Sequence, residues 1–80
     1  MTFKMIDYRE YIESDINIML GKPIIKGTRI TVALVLQRLS EGATPSDLLT
    51  AYPSLTPAAI NAVLAYASDV IANESIIAVA

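Results

Sequence analysis

The 80-residue chain contains no cysteine and no histidine. Without cysteine there are no disulfides and no thiolate metal sites; without histidine as well, the usual zinc ligands and the commonest general base are missing. A chain without disulfide chemistry fits residence in the cytoplasm. Positive charge is also scarce. Six Lys and Arg stand against eight Asp and Glu, a formal net charge of −2, with an isoelectric point near 4.8. Non-specific nucleic-acid binding depends on neutralising phosphates with basic side chains, so this balance argues against it and leaves room only for a local basic patch. No window reaches the roughly 18 apolar residues of a membrane helix. The N-terminus, with Asp7 at its seventh position, lacks the apolar core of a signal peptide.

Apolar residues, by contrast, are abundant. They make up 54% of the chain, with a mean hydropathy of +0.50. A single domain of this size has too much surface to hide that many apolar side chains. Association is the natural outlet, and a homodimer is the expectation.

Residues 1–10 show no clear period and read as a lightly tethered arm anchored by Tyr8, Tyr11 and Ile12. A short strand is predicted over 11–14, after which Asp15 caps one helical turn over 16–20 and Gly21 reverses the chain. Ile25-Lys26-Gly27-Thr28 reads as a hairpin tip, because Gly27 can take the positive φ that position i+2 of a type II or I′ turn demands. A two-residue loop there sets Ile25 opposite Thr28, Ile24 opposite Arg29 and Pro23 opposite Ile30. Pro23, Ile25, Thr28 and Ile30 then share a buried face, while Lys22, Ile24, Arg29 and Thr31 share the other, so that Lys22 and Arg29 project together. Pro23 cannot donate to a ladder, which makes its strand an edge strand or places the strand's start there.

Helix signals follow. Thr31 caps a first helix with Val32, Val35, Leu36 and Leu39 on one face, and Gly42 ends it. Thr44-Pro45-Ser46-Asp47 opens a short second helix whose inner face is Leu48, Leu49 and Tyr52, stopped by Pro53. Thr56-Pro57 opens the longest helix, to about residue 73, with Ile60, Val63, Leu64, Ala67, Val70 and Ile71 as its inward stripe. Its outward face is assigned to Ala58, Asn61, Ala62, Ala65, Asp69 and Ala72, either a surface for close packing between subunits or a reflection of alanine's helix propensity. After Ser75, Ile76-Ile77-Ala78-Val79-Ala80 is rich in β-formers and is expected to pair as a C-terminal strand.

The fold class expected is therefore α+β, mainly α, in one domain spanning 1–80. A β-hairpin region covers 11–30, a three-helix bundle in helix-turn-helix order covers 31–73, and a short strand or tail covers 75–80.

Three segments carry a resemblance: residues 21–30 (Gly-Lys-Pro-Ile-Ile-Lys-Gly-Thr-Arg-Ile), 39–45 (Leu-Ser-Glu-Gly-Ala-Thr-Pro), and Tyr52-Pro53-Ser54-Leu55-Thr56 with 62–66. Over roughly 11–73 the chain resembles the family called domain of unknown function 433. The resemblance implies a β-hairpin followed by a homeodomain-like trihelical bundle. It also implies an antitoxin role in bacterial operons, where such proteins accompany a nuclease of the PIN type. Two departures stand out: Thr31 occupies a position where proline is usual, and 16–20 (Ile-Asn-Ile-Met-Leu) replaces a more polar, glycine-richer lead-in.

Two kinds of partner compete for the basic residues. PIN-type nucleases as a class hold metal between clustered carboxylates, so a basic side chain inserted there would neutralise the site. Arg29 is the bidentate candidate and Lys26 the reaching one, with Lys22 beside them. For operator DNA, the last helix offers no basic residue; Asn61 is its one reader of base edges, Thr56 a phosphate donor, and Arg38 a phosphate contact together with the hairpin cations. A small structural domain with solvated hairpin charges is the third reading. Gly21-Lys22 is not a phosphate-binding loop, because residue 16 is Ile and Pro23 follows the lysine. Glu10, Glu13 and Asp15 read as a solvated face rather than an acid/base pair or metal site. No enzymatic activity and no cofactor are expected.

Overall fold

A computed structural model of the chain describes residues 7–73. The predicted C-terminal strand at 76–80 lies outside the described residues. Within them the fold is α+β and mainly α: a two-stranded antiparallel pair followed by three helices.

Strands β1 (Ile12–Glu13) and β2 (Ile24–Ile25) pair with Ile12 opposite Ile25 and Glu13 opposite Ile24. A 3-10 turn over Tyr8–Glu10 precedes β1, capped by the Asp7 carboxylate. Tyr8 holds this turn to Tyr66 and Asp69, far along the sequence. Its ring meets Tyr66 edge-on, centroids 5.3 Å apart, and its hydroxyl donates to Asp69, a bond that raises the phenol's pKa.

The turn at Gly27 forms as expected, with φ 77 at the glycine and the Thr28 N–H donating to the Ile25 carbonyl at 3.1 Å. The register beyond it differs by two residues. Thr28 adds its hydroxyl to that N–H: the hydroxyl also donates to the Ile25 carbonyl at 2.8 Å and accepts the Ile30 N–H at 2.9 Å. The loop is thereby widened to Lys26, Gly27, Thr28 and Arg29. The Ile25 N–H donates to Ile30 at 2.9 Å, Val32 donates to Pro23 at 3.0 Å, and Ile24 bridges Thr31. Ile24, assigned by the alternation to the open face, is fully buried. It belongs to the central one of three extended segments, with Glu13 on one edge and Thr31 on the other.

The lead-in from Asp15 also departs from the expected right-handed turn. Asp15 does cap, its carboxylate accepting the Asn17 N–H at 2.9 Å, but Met19, Leu20 and Gly21 then adopt φ of 51, 58 and 82. Left-handed backbone costs a side-chain-bearing residue about 1–2 kcal/mol, and here two carry one.

Helices α1 (Val32–Ser40), α2 (Pro45–Ala51) and α3 (Pro57–Ala72) start at the three predicted threonines. Thr31, Thr44 and Thr56 each accept the backbone N–H three residues on, and Asp47 returns a bond to the Thr44 N–H to complete a capping box. α1 ends in a Schellman motif around Gly42 at φ 101, with Ala43 donating to Arg38 and Gly42 donating to Leu39, each at 3.1 Å.

The core joins Ile12 and Ile25 to Val32, Val35, Leu48, Leu55, Ala59, Ile60, Ala62 and Val63, with Tyr8, Tyr11, Leu36, Leu39, Leu49, Tyr52 and Tyr66 half-buried around it. On α3 this corrects the expected faces. Ala62, assigned outward, is fully buried, whereas Leu64, Val70 and Ile71, assigned inward, are 47%, 45% and 64% exposed. A helix apolar on nearly every side satisfies the 3.6-residue template in more than one orientation. The side that packs against α1 and the Tyr8 turn holds the buried Ala59 and Ala62 together with Ile60 and Val63.

Candidate functional site

The basic residues singled out from the sequence stay on the surface. Lys22, Lys26 and Arg29 are all exposed, and among the described residues none of the three forms an ion pair. The two-residue shift changes their grouping. Lys26 and Arg29 are the first and last residues of the four-residue loop, while Lys22 precedes Pro23 at the other end of β2 and does not face Arg29 across a hairpin.

Lys26 is anchored through its backbone, its N–H donating to the Tyr11 carbonyl at 2.8 Å. Its charge lies near Asp7, whose carboxyl pKa is lowered chiefly by the hydrogen bond from Arg9, with Lys26 a smaller contributor. Arg29 lines a shallow cleft of about 300 Å³ with Glu13, Ile18, Gly27 and Thr28. The cleft has one cationic wall, Arg29, and one anionic wall, Glu13.

The residues proposed for DNA contact are separated. Arg38, on the last turn of α1, pairs with Glu41 at 2.9 Å, and Tyr52 and Glu41 together raise its pKa above the ordinary value. Thr56 uses its hydroxyl oxygen to accept the Ala59 N–H. Asn61 is exposed in the second turn of α3. No lysine or arginine lies on α3 to accompany it. Glu10, Glu13 and Asp15 do not gather, among the described residues, into a three-carboxylate group able to hold a metal ion. No described helix is long and apolar enough to cross a membrane.

One feature beside the cations was missed. The left-handed turn holds Ile16 and Leu20 out at 73% and 83% exposure, next to Lys22. The signal in the sequence was the apolar lead-in itself, where the resemblance leads one to expect glycine.

No curated protein and no solved structure matches the chain. A family model described as protein of unknown function (DUF433) matches residues 12–67, from β1 through most of α3. With well over half its length covered, the chain belongs to the DUF433 family.

Proposed function

We propose that this chain is a non-enzymatic interaction module of the antitoxin type, which binds a PIN-like nuclease and neutralises it through the cations of the β2 loop. The supporting observation is the contrast in how the basic residues are employed. Arg38 is committed to Glu41, whereas Lys26 and Arg29 are the first and last residues of an exposed loop, with no ion pair among the described residues. A guanidinium presented in this way meets a carboxylate bidentately, and an ammonium at a loop tip reaches a second one. Clustered carboxylates that hold a catalytic metal are a matching surface.

The test is a binding titration against the product of the neighbouring gene, reading affinity and residual nuclease activity together. Arg29→Ala is expected to weaken binding about tenfold or more, the scale of a hydrogen bond between charged groups. Unchanged affinity and unchanged neutralisation would remove Arg29 from the interface.

Autoregulation through DNA is the second reading. It is favoured by α2 and α3 packing across a short turn, with Asn61 exposed near the start of the later helix. The absence of lysine and arginine from α3 weighs against it. Anisotropy titration with operator-region DNA at two salt concentrations separates the two readings, because specific binding through phosphates must weaken as salt rises.

A further inference from the structure

Both margins of the described fold lack a hold of their own. Residues 68–72, which close α3, are all exposed, and none joins the core. At the other margin Asp7, Arg9 and Glu10 are exposed, and only Tyr8 is half-buried. The bonds of the Tyr8 turn stay within it: Glu10 donates to the Asp7 carbonyl, Tyr11 to the Tyr8 carbonyl, and Arg9 pairs with Asp7. Backbone first ties this segment to the rest at Tyr11, whose carbonyl accepts the Lys26 N–H.

Two side-chain contacts join the margins, and Tyr8 makes both. Its hydroxyl donates to Asp69, and its ring meets Tyr66 edge-on. Among the described residues, the bond to Asp69 is the one side-chain hydrogen bond from 68–72 to another element; the other bonds of Asp69 go to Asn73, next to the helix end. Tyr8 and Asp69 also stand on either side of residues 12–67, the stretch that the family model matches.

We propose that the Tyr8 turn and the far end of α3 form a latch, one cooperative unit closed by Tyr8 on Tyr66 and Asp69, which opens as a whole while the core stays folded. Neither piece is ordered by packing of its own. A three-residue 3-10 turn is a marginal structure, and a helix end without packing frays. Each supplies the contact that the other lacks. Because one side chain makes both contacts, they are lost together when the turn departs. Opening breaks one hydrogen bond and one aromatic pair and leaves the buried residues in place, so it belongs to the low-energy end of local openings.

The latch couples two places 61 residues apart in sequence. By linkage, a partner that draws the Tyr8 turn away must loosen 68–72, and one that grips 68–72 as helix must favour the closed turn. Opening also uncovers the part of the Tyr66 ring that Tyr8 meets. None of this depends on the antitoxin reading.

Amide hydrogen exchange on the whole chain, followed residue by residue by NMR, reads both margins at once. In the parent, the Tyr11 N–H and the amides of 70–72 should exchange through one shared opening, faster than Val63 in the core. Tyr8→Phe keeps the ring pair and the Asn73 bonds to Asp69 but removes the hydroxyl. It should speed exchange about threefold to tenfold in both groups, the worth of one hydrogen bond, and leave Val63 unchanged. Asp69→Ala is the sharper variant. Alanine is the better helix former, and removing an anion near a helix C-terminus relieves the dipole, so these local effects slow exchange at 70–72. Loss of the latch speeds it and also releases the Tyr11 N–H. Slower exchange at 70–72 in Asp69→Ala, a Tyr11 N–H indifferent to that substitution, or an equal change at Val63 would overturn the proposal. So would a parent with no protection at either margin.

Discussion

α1 and α3 carry the same apolar spacing, yet only α1 buries the face that its spacing selects. In α1, Val32 and Val35 are buried and Leu36 and Leu39 half-buried, with Ala33, Gln37 and Ser40 left outside. In α3 the stripe divides: Ile60 and Val63 go inward while Leu64, Val70 and Ile71 remain exposed. The difference lies on the opposite side of each helix. α1 has polar residues there, which define an outside. α3 has alanines, and alanine is compatible with either side, so tertiary packing makes the choice.

The largest effect expected from this contrast is within α3 itself. Ile60→Ala should cost about 2–5 kcal/mol, as removal of a buried side chain that leaves a cavity. Ile71→Ala, measured at a concentration where the protein is monomeric, should stay within about 0.5 kcal/mol. Urea denaturation of the two variants checks the order, and a similar loss for both would mean that the stripe is one continuous core after all.

Smaller, and comparing the helices directly, is the effect of enlarging an alanine. Ala62→Leu on α3 overfills a fully buried position and should cost about 1–3 kcal/mol. Ala33→Leu on α1 adds the same atoms at an exposed position and should change stability by less than about 0.5 kcal/mol. A tolerated Ala62→Leu would put the close approach of α3 to its neighbours in doubt.

The smallest effect concerns the helix starts. α1 and α3 are capped by threonine alone, which does not titrate, whereas α2 has Asp47 in its capping box. The Thr44 N–H holds the Asp47 pKa below the ordinary carboxylate value, with the Thr44 hydroxyl a further contribution. A depressed folded-state pKa means that the stabilisation is present above the unfolded value and lost as pH falls through the folded one. The first turn of α2 should therefore fray below about pH 4, while the starts of α1 and α3 hold. Amide chemical shifts across an acid titration follow each helix separately, and Asp47→Asn should flatten the response of α2.

Helix starts were legible because caps are local chemistry: a threonine hydroxyl and a proline at the first position act within one turn. The extended arm after β2 was legible in outline for the same reason, since Gly27 marks the turn that brings Thr31 back to Ile24. Its register was not. That depended on whether the Ile25 N–H would donate to the Thr28 carbonyl or to that of Ile30, and both choices fit the same letters. The turn at Met19 and Leu20 was hidden for the opposite reason, because the conformation runs against what those residues prefer. For the candidate site, the identities of Lys22, Lys26 and Arg29 could be read directly. Their grouping could not, because it followed the register.

The Gly27-Thr28-Arg29 element can now be separated into grammar and message. Gly27 is required by a backbone angle, and Thr28 by two hydrogen bonds that seal the loop. Arg29 has no hydrogen bond or ion pair among the described residues. Serine could replace Thr28 and preserve the seal, but nothing in the described fold asks for a guanidinium at 29. A reader comparing sequences of this kind should treat the first two letters as spelling that a loop demands, and the third as the letter addressed to someone else.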